Sequence, residues 1–232
     1  MLGTLYRDDA FAAGDSTLLR NLKAETRLVP ATSEKGGFTT VQNRFDNDSV
    51  FGIIAHGVAS SDTTLVCDDL SDEWADFIGI NIGGDVPILS FYHAKHGNLS
   101  LGASPFHVAV SQAIKNLGRI ALPTELMASK ITSWMQFYSN DGVQTQIPRV
   151  LRGGNAAALA QTFTEARLAP TIVKRVCIVT SSLSRQAVAN ALEEVRHGQR
   201  PDPHFVQLYW LLLSFFSACV EVGAVGLIVC QP

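Results

Sequence analysis

Asp76, His93 and Lys95 are the residues of this chain whose types and spacing point most directly to chemistry. Asp76 closes the phrase Asp72-Glu73-Trp74-Ala75-Asp76, and His93-Ala94-Lys95 begins seventeen residues further on. Strand alternation places Trp74, Asp76, Ile78 and Ile80 on one face, and His93 with Lys95 on one face of the next strand. Neighbouring strands lie about 4.8 Å apart, so a carboxylate, an imidazole and an ammonium at their ends can share one metal ion and one water. The carboxylate would hold the metal, the metal would activate water, and the lysine would steady or deprotonate the nucleophile. Those parts suit phosphodiester hydrolysis. Plainer readings exist for the same residues. Asp76 and Lys95 can form a cross-strand ion pair, His93 can be a hydrogen-bonded structural histidine, and Glu73 can be a turn carboxylate.

The surrounding pattern supplies elements to position these groups. Asp48 or Ser49 can N-cap a helix carrying Val50, Phe51, Ile53, Ile54 and Val58. Three extended runs follow, Thr64–Cys67, Trp74–Ile80 and Val86–Lys95, separated by turns at Leu70-Ser71-Asp72 and Gly83-Gly84-Asp85. Ser104 and Pro105 start a second helix whose apolar face is Phe106, Val110, Ala113, Ile114 and Leu117. Gln112 lies on that helix, as a site residue or simply a polar side chain on a half-buried face. Residues 119–171 read as helical and loopy, Val173–Thr180 as a buried strand, and Val225–Cys230 as a last strand. Ser184 can cap the helix between them that carries Val188, Leu192 and Val195. The expected fold class is α/β, with a central mixed sheet and flanking helices. Residues 1–46 read as an N-terminal extension, and 47–232 as one domain with core segments 47–118 and 172–232 around a helical insertion, 119–171.

Helix, three-strand meander, Asp76 in the second strand, Lys95 closing the third, and then a helix carrying Gln112 together resemble the core of the PD-(D/E)XK nucleases. This is the restriction-endonuclease-like superfamily, and the bacterial restriction and defence type is the nearest variety. The resemblance covers about residues 47–118, with Val173–Thr180 as a further strand, and implies the order αβββαβ. It implies that Asp76 is the motif aspartate, Lys95 the motif lysine and Gln112 the glutamine of the following helix. His93 departs from the pattern, which has an acid two residues before the lysine. An imidazole suits Mn²⁺, Zn²⁺ or Ni²⁺ better than Mg²⁺. Glu73, Asp69 or Asp68 would then supply the missing charge, although Glu73 is out of phase with Asp76 on an ideal strand. The resemblance implies a Mg²⁺-dependent (or Mn²⁺-dependent) DNA endonuclease with Asp76, Glu73 and His93 as metal ligands, alone, as a homodimer, or joined to a helicase domain; the isolated cysteines separately suggest a reducing, cytoplasmic setting. A non-catalytic docking module on the same fold and a small-molecule phosphodiesterase are the alternatives.

Composition sets the limits. The chain has 232 residues, 47% of them hydrophobic and 17% charged, enough for a full core without staples and too apolar for extended disorder. The formal charge of −3 excludes a uniformly basic nucleic-acid coat. It resolves into −6 over residues 1–118 and +3 over 119–232. Seven carboxylates crowd 62–85 without a basic residue, whereas Arg149, Arg152, Lys174, Arg175 and Arg185 are candidate phosphate contacts. Four isolated cysteines show no metal-ligand spacing and read as buried thiols. Leu208–Val220 is apolar but short of the roughly 20 residues needed to span a bilayer, so it reads as a core helix. There is no phosphate-binding G-x-x-x-x-G-K-[ST] loop, dinucleotide G-x-G-x-x-G or hydrolase G-x-S-x-G elbow.

Overall fold

The computed structural model describes residues 9–232. A seven-stranded mixed sheet runs in the order β1-β9-β8-β4-β3-β2-β7. Its centre is the expected meander: β2 (Thr64–Cys67), β3 (Phe77–Asn81) and β4 (Ile88–Lys95) pair antiparallel. The strand β8 (Val173–Ser184) lies parallel to β4 through eight partners, from Ile88↔Val173 to Lys95↔Thr180. Beyond it, β9 (Ala224–Gln231) continues parallel, and β1 (Leu22–Ala24) closes that edge. At the other edge β7 (Val150–Arg152) pairs with β2.

Both faces of the sheet are covered, so its strands are apolar on both sides, as parallel sheets require. The first layer is helical: α3 (Ser104–Lys115), α4 (Thr124–Trp134), α5 (Ala156–Leu168), α6 (Arg185–Arg196) and α7 (Pro203–Glu221). Phe106, Val110, Trp134, Phe163, Leu192 and Phe215 from these helices meet Val66, Ile78, Phe91 and Ile178 of the sheet. Ser184 caps α6 by accepting from the Ala187 N–H, as expected. Among the described residues α7 is the helix long and apolar enough to cross a bilayer, yet Phe205, Leu208, Leu212, Phe215 and Cys219 on one face of it are buried in this core.

The second layer is built from segments that sequence patterning left vague. The helix α2 (Val50–Ile53) is capped by Ser49, whose hydroxyl accepts from the Gly52 N–H, and it widens into a π turn at Ile54–Val58. With it pack Leu28, Phe45 and Tyr138, all fully buried against Leu65, Phe77 and Val179. The segment expected as an N-terminal extension therefore belongs to the domain, with the short α1 (Asp9–Ala12) at its start; residues 1–8 lie outside the described residues. Likewise, 119–171 is not purely helical. It contains the hairpin β5 (Phe137–Asn140) and β6 (Val143–Pro148) as well as edge strand β7. Polar and apolar residues alternate in Val143-Gln144-Thr145-Gln146-Ile147, with Thr145 and Ile147 facing inward.

Phe45 tests this arrangement, because its ring contacts those of Phe51, Phe77 and Tyr138 at 5.1–5.6 Å. Phe45→Ala is expected to destabilise the fold by about 3–5 kcal/mol, the usual range for emptying such a site. Denaturant unfolding checks this, and a loss below about 1 kcal/mol would show that the segment before α2 is not part of the core.

Candidate metal centre

Asp69, Glu73 and Asp76 place one carboxylate oxygen each within 4.8 Å of one another. All three belong to the connection between β2 and β3. Cys67 pairs with Phe77, so residues 68–76 form a loop at the sheet end where β4 terminates. The strand expected from Trp74 begins only at Phe77. Residues before it are turn, and strand alternation does not apply to them. Glu73, out of phase with Asp76 on an ideal strand, thereby comes round to the same point. Asp76 is fixed twice: its Oδ2 accepts from the Ala94 N–H at 2.7 Å, and its carbonyl accepts from the Asp68 N–H at 2.8 Å.

Two lysines flank the carboxylates. Lys95 lies 3.1 Å from Glu34, which also accepts from the His96 N–H. Lys35 lies 2.7 Å from Asp69, whose Oδ2 also accepts from the Tyr138 hydroxyl. Glu34 and Lys35 are held by the start of α2, since the Val50 and Phe51 N–H groups donate to the Ser33 and Glu34 carbonyls. The plainer reading of a cross-strand ion pair between Asp76 and Lys95 does not hold, because Lys95 bonds Glu34 instead. Glu34 and Lys35 were missed because they lie in an unpatterned loop. Their only sequence signal is opposite charges beside a Gly-Gly turn.

His93 is not part of this group. It is 3% exposed, its Nε2 has no hydrogen-bond partner among the described residues, and burial, with Lys115 nearby, pushes its pKa down to about 4. It shares a sheet face with Leu89 and Phe91, beneath the helical layer. The donor set is thus all oxygen, with Asp69 in the role offered to His93. Gln112 is half-buried on α3, and no hydrogen bond among the described residues ties it to the acids. Lys115, one turn later, is the electrostatic neighbour of both Glu73 and His93.

The basic residues do not form one face. Arg149 is 4% exposed, donates to the Cys67 and Asp69 carbonyls and lies over the Tyr138 ring. That corrects its expected role as a phosphate contact, since the guanidinium is spent on holding the β2–β3 loop. Arg152 likewise donates to the carbonyls of Asp62, Ala55 and Ala59. Arg185 donates to the Leu22 carbonyl at 3.2 Å. Lys174 and Arg175 are consecutive on β8 and so point to opposite sides of the sheet.

The loop is anchored from beneath. Asp68 is fully buried and accepts from Lys130 Nζ at 2.9 Å, Trp134 Nε1 at 2.7 Å and the Trp74 N–H at 2.7 Å. Lys130 also donates to the Asp72 carbonyl at 2.7 Å. A cavity of about 450 Å³ between the β4–α3 loop, α6 and α7 contains none of these residues.

Comparison with protein-family models, with curated proteins and with solved structures gives no match to this chain.

Burial first, and then the neighbouring Asp69, Glu73 and Glu34, hold the Asp76 carboxyl well above its ordinary value of 3.8, against the opposing Ala94 N–H. The folded state therefore binds this proton more tightly than the unfolded chain. Its contribution to stability is full below pH 3.8 and is lost as pH rises through the raised value. Asp76→Asn is expected to remove that loss and to raise metal-free stability at neutral pH by about 1 kcal/mol, while abolishing divalent-ion binding. Melting curves across pH, with and without Mg²⁺, check both; a variant less stable than wild type at neutral pH would refute the electrostatic account. Lys130→Met, which leaves Asp68 buried and uncompensated, is expected to cost about 3–5 kcal/mol. A double variant with Asp68→Asn should recover part of that loss in the same unfolding assay.

Proposed function

We propose that this protein is a divalent-metal-dependent hydrolase of phosphodiester bonds in DNA, with Asp69, Glu73 and Asp76 as the metal-holding carboxylates. The observation that carries the reading is the convergence of these three acids, flanked by Lys35 and Lys95, at the end of a β-meander. With Glu34, the carboxylates outnumber the ammonium groups of Lys35, Lys95 and Lys115, and a divalent cation would offset the formal excess. An all-oxygen donor set favours Mg²⁺ or Mn²⁺ over softer ions. The metal would supply an activated water and neutralise charge on the phosphate.

The chain's own residues do the rest. Asp76, clamped by the Ala94 N–H, fixes one coordination direction against the sheet. Lys95 sits at the last residue of β4 and, among the described residues, its ammonium is held by a half-exposed Glu34. It can turn to a scissile phosphate when one arrives, replacing one anion by another. Lys35 performs the same exchange on the other side, from Asp69. The raised Asp76 couples metal uptake to proton release, so metal affinity rises with pH.

Cleavage of plasmid DNA in Mg²⁺ tests the proposal. Chelation is expected to abolish it, and Asp76→Asn and Lys95→Gln are each expected to lower it by roughly 10²-fold or more with the fold intact. Unchanged cleavage in either variant would sink the assignment. No divalent-ion binding, combined with tight protein–protein association, would favour the docking-module reading.

A further inference from the structure

Arg175 is in an uncommon position. Along β8 it shares a face with Cys177 and Val179, both buried in the second core. It is half-buried itself, and among the described residues its side chain makes no hydrogen bond or ion pair. The carboxylates near it are already committed. Asp62 accepts from the Tyr92 hydroxyl at 2.8 Å, and Glu25 makes three bonds to Arg27. Asp62 is close enough to act electrostatically on Arg175, but it makes no direct bond to the guanidinium.

The space before it is open. The second layer ends at the π turn, where a Cβ on Gly57 would collide with the Arg27 guanidinium. A cavity of about 290 Å³ remains between that turn and strands β1, β4, β8 and β9. Lys23 stands at its rim with Glu25, whose carboxylate is held by the Arg27 guanidinium; Ser90 and Arg175 line its polar side, and Leu227 and Val229 line its apolar side. We propose that this cavity is a binding site for a small phosphate monoester, with Arg175 gripping two phosphate oxygens, Lys23 matching the second charge, and Leu227 and Val229 seating the organic group. The forked guanidinium selects an oxyanion with paired oxygens, and the added ammonium favours a dianion over a monocarboxylate. None of Asp69, Glu73, Asp76 or Lys95 lines the cavity, so the inference stands apart from the hydrolase reading.

Calorimetric titration of the full chain with inorganic phosphate and with phenyl phosphate tests it. Phenyl phosphate is expected to bind more tightly than inorganic phosphate, through the apolar side of the cavity. Arg175→Gln is expected to weaken both by about tenfold or more, Arg175→Lys by less, because a point charge replaces the fork. Should Arg175→Gln fail to fold, Lys23→Gln at the exposed rim keeps the test alive, with an expected loss of about threefold. Equal binding by wild type and these variants would overturn the proposal. So would failure of millimolar phenyl phosphate to bind, or its displacement by duplex DNA at equal phosphate concentration.

Discussion

The buried pair between Lys130 and Asp68 is the constraint on which the rest of the molecule turns. Both side chains are almost wholly removed from water, at 1% and 0% exposure. Such a pair is tolerable only when the remaining lone pairs and protons are satisfied. Here they are: Trp134 and the Trp74 N–H complete the carboxylate, and the Asp72 carbonyl takes another ammonium proton. The Trp74 ring lies 5.3 Å from the same ammonium. The geometry gives α4 its purpose. This helix lies in the segment inserted between the core strands, and it delivers Lys130 and Trp134 to the underside of the β2–β3 loop. A loop pinned at Asp68 and Asp72 has little freedom left at Asp69, Glu73 and Asp76.

The carboxylate cluster is a consequence of that pinning and works against it. Three acids within 4.8 Å repel one another, and burial adds to the penalty at Asp76. The screening charges come from distant parts of the chain: Lys35 from the segment before α2, Lys95 from the end of β4, Lys115 from the end of α3. The acidic first half is thus partly neutralised by its own sparse lysines. In the basic second half, Arg149, Arg152 and Arg185 serve structure, their guanidinium groups spent on backbone carbonyls. In net charge alone, the chain resembles two opposed functional patches. Side-chain geometry divides it into an acid centre with local cations and an internal scaffold of arginines.

Sequence reading succeeded where one local rule decides the outcome. The Thr64–Cys67 strand, the Ser49 and Ser184 caps, the last strand and the placement of Asp76 next to β4 all follow from short-range pattern. It failed where long-range packing decides. Nothing local marks Leu28 or Phe45 as core, because their partners lie on other elements. Glu34 and Lys35 sit in a loop whose position is set by backbone bonds to α2. His93 was offered as a ligand because strand alternation puts it in phase with Lys95. Alternation held, but the carboxylates left the strand regime at the turn, and the histidine stayed under the helices. The β5–β6 hairpin was hidden because an aromatic cluster at Trp134–Tyr138 can be read as helix or strand.

The edge strand β1 has a consequence for how the molecule is made. Its partner is β9, and Asn21 bonds the Gly226 carbonyl across 205 positions of chain. During synthesis at about 5–20 residues per second, the first strand therefore waits on the order of ten seconds or more for the last. For that interval β1 and the outer edge of β8 have no sheet partner. An open β8 edge is a ready template for pairing with another chain, and a chaperone would be its nearest cover until β9 arrives.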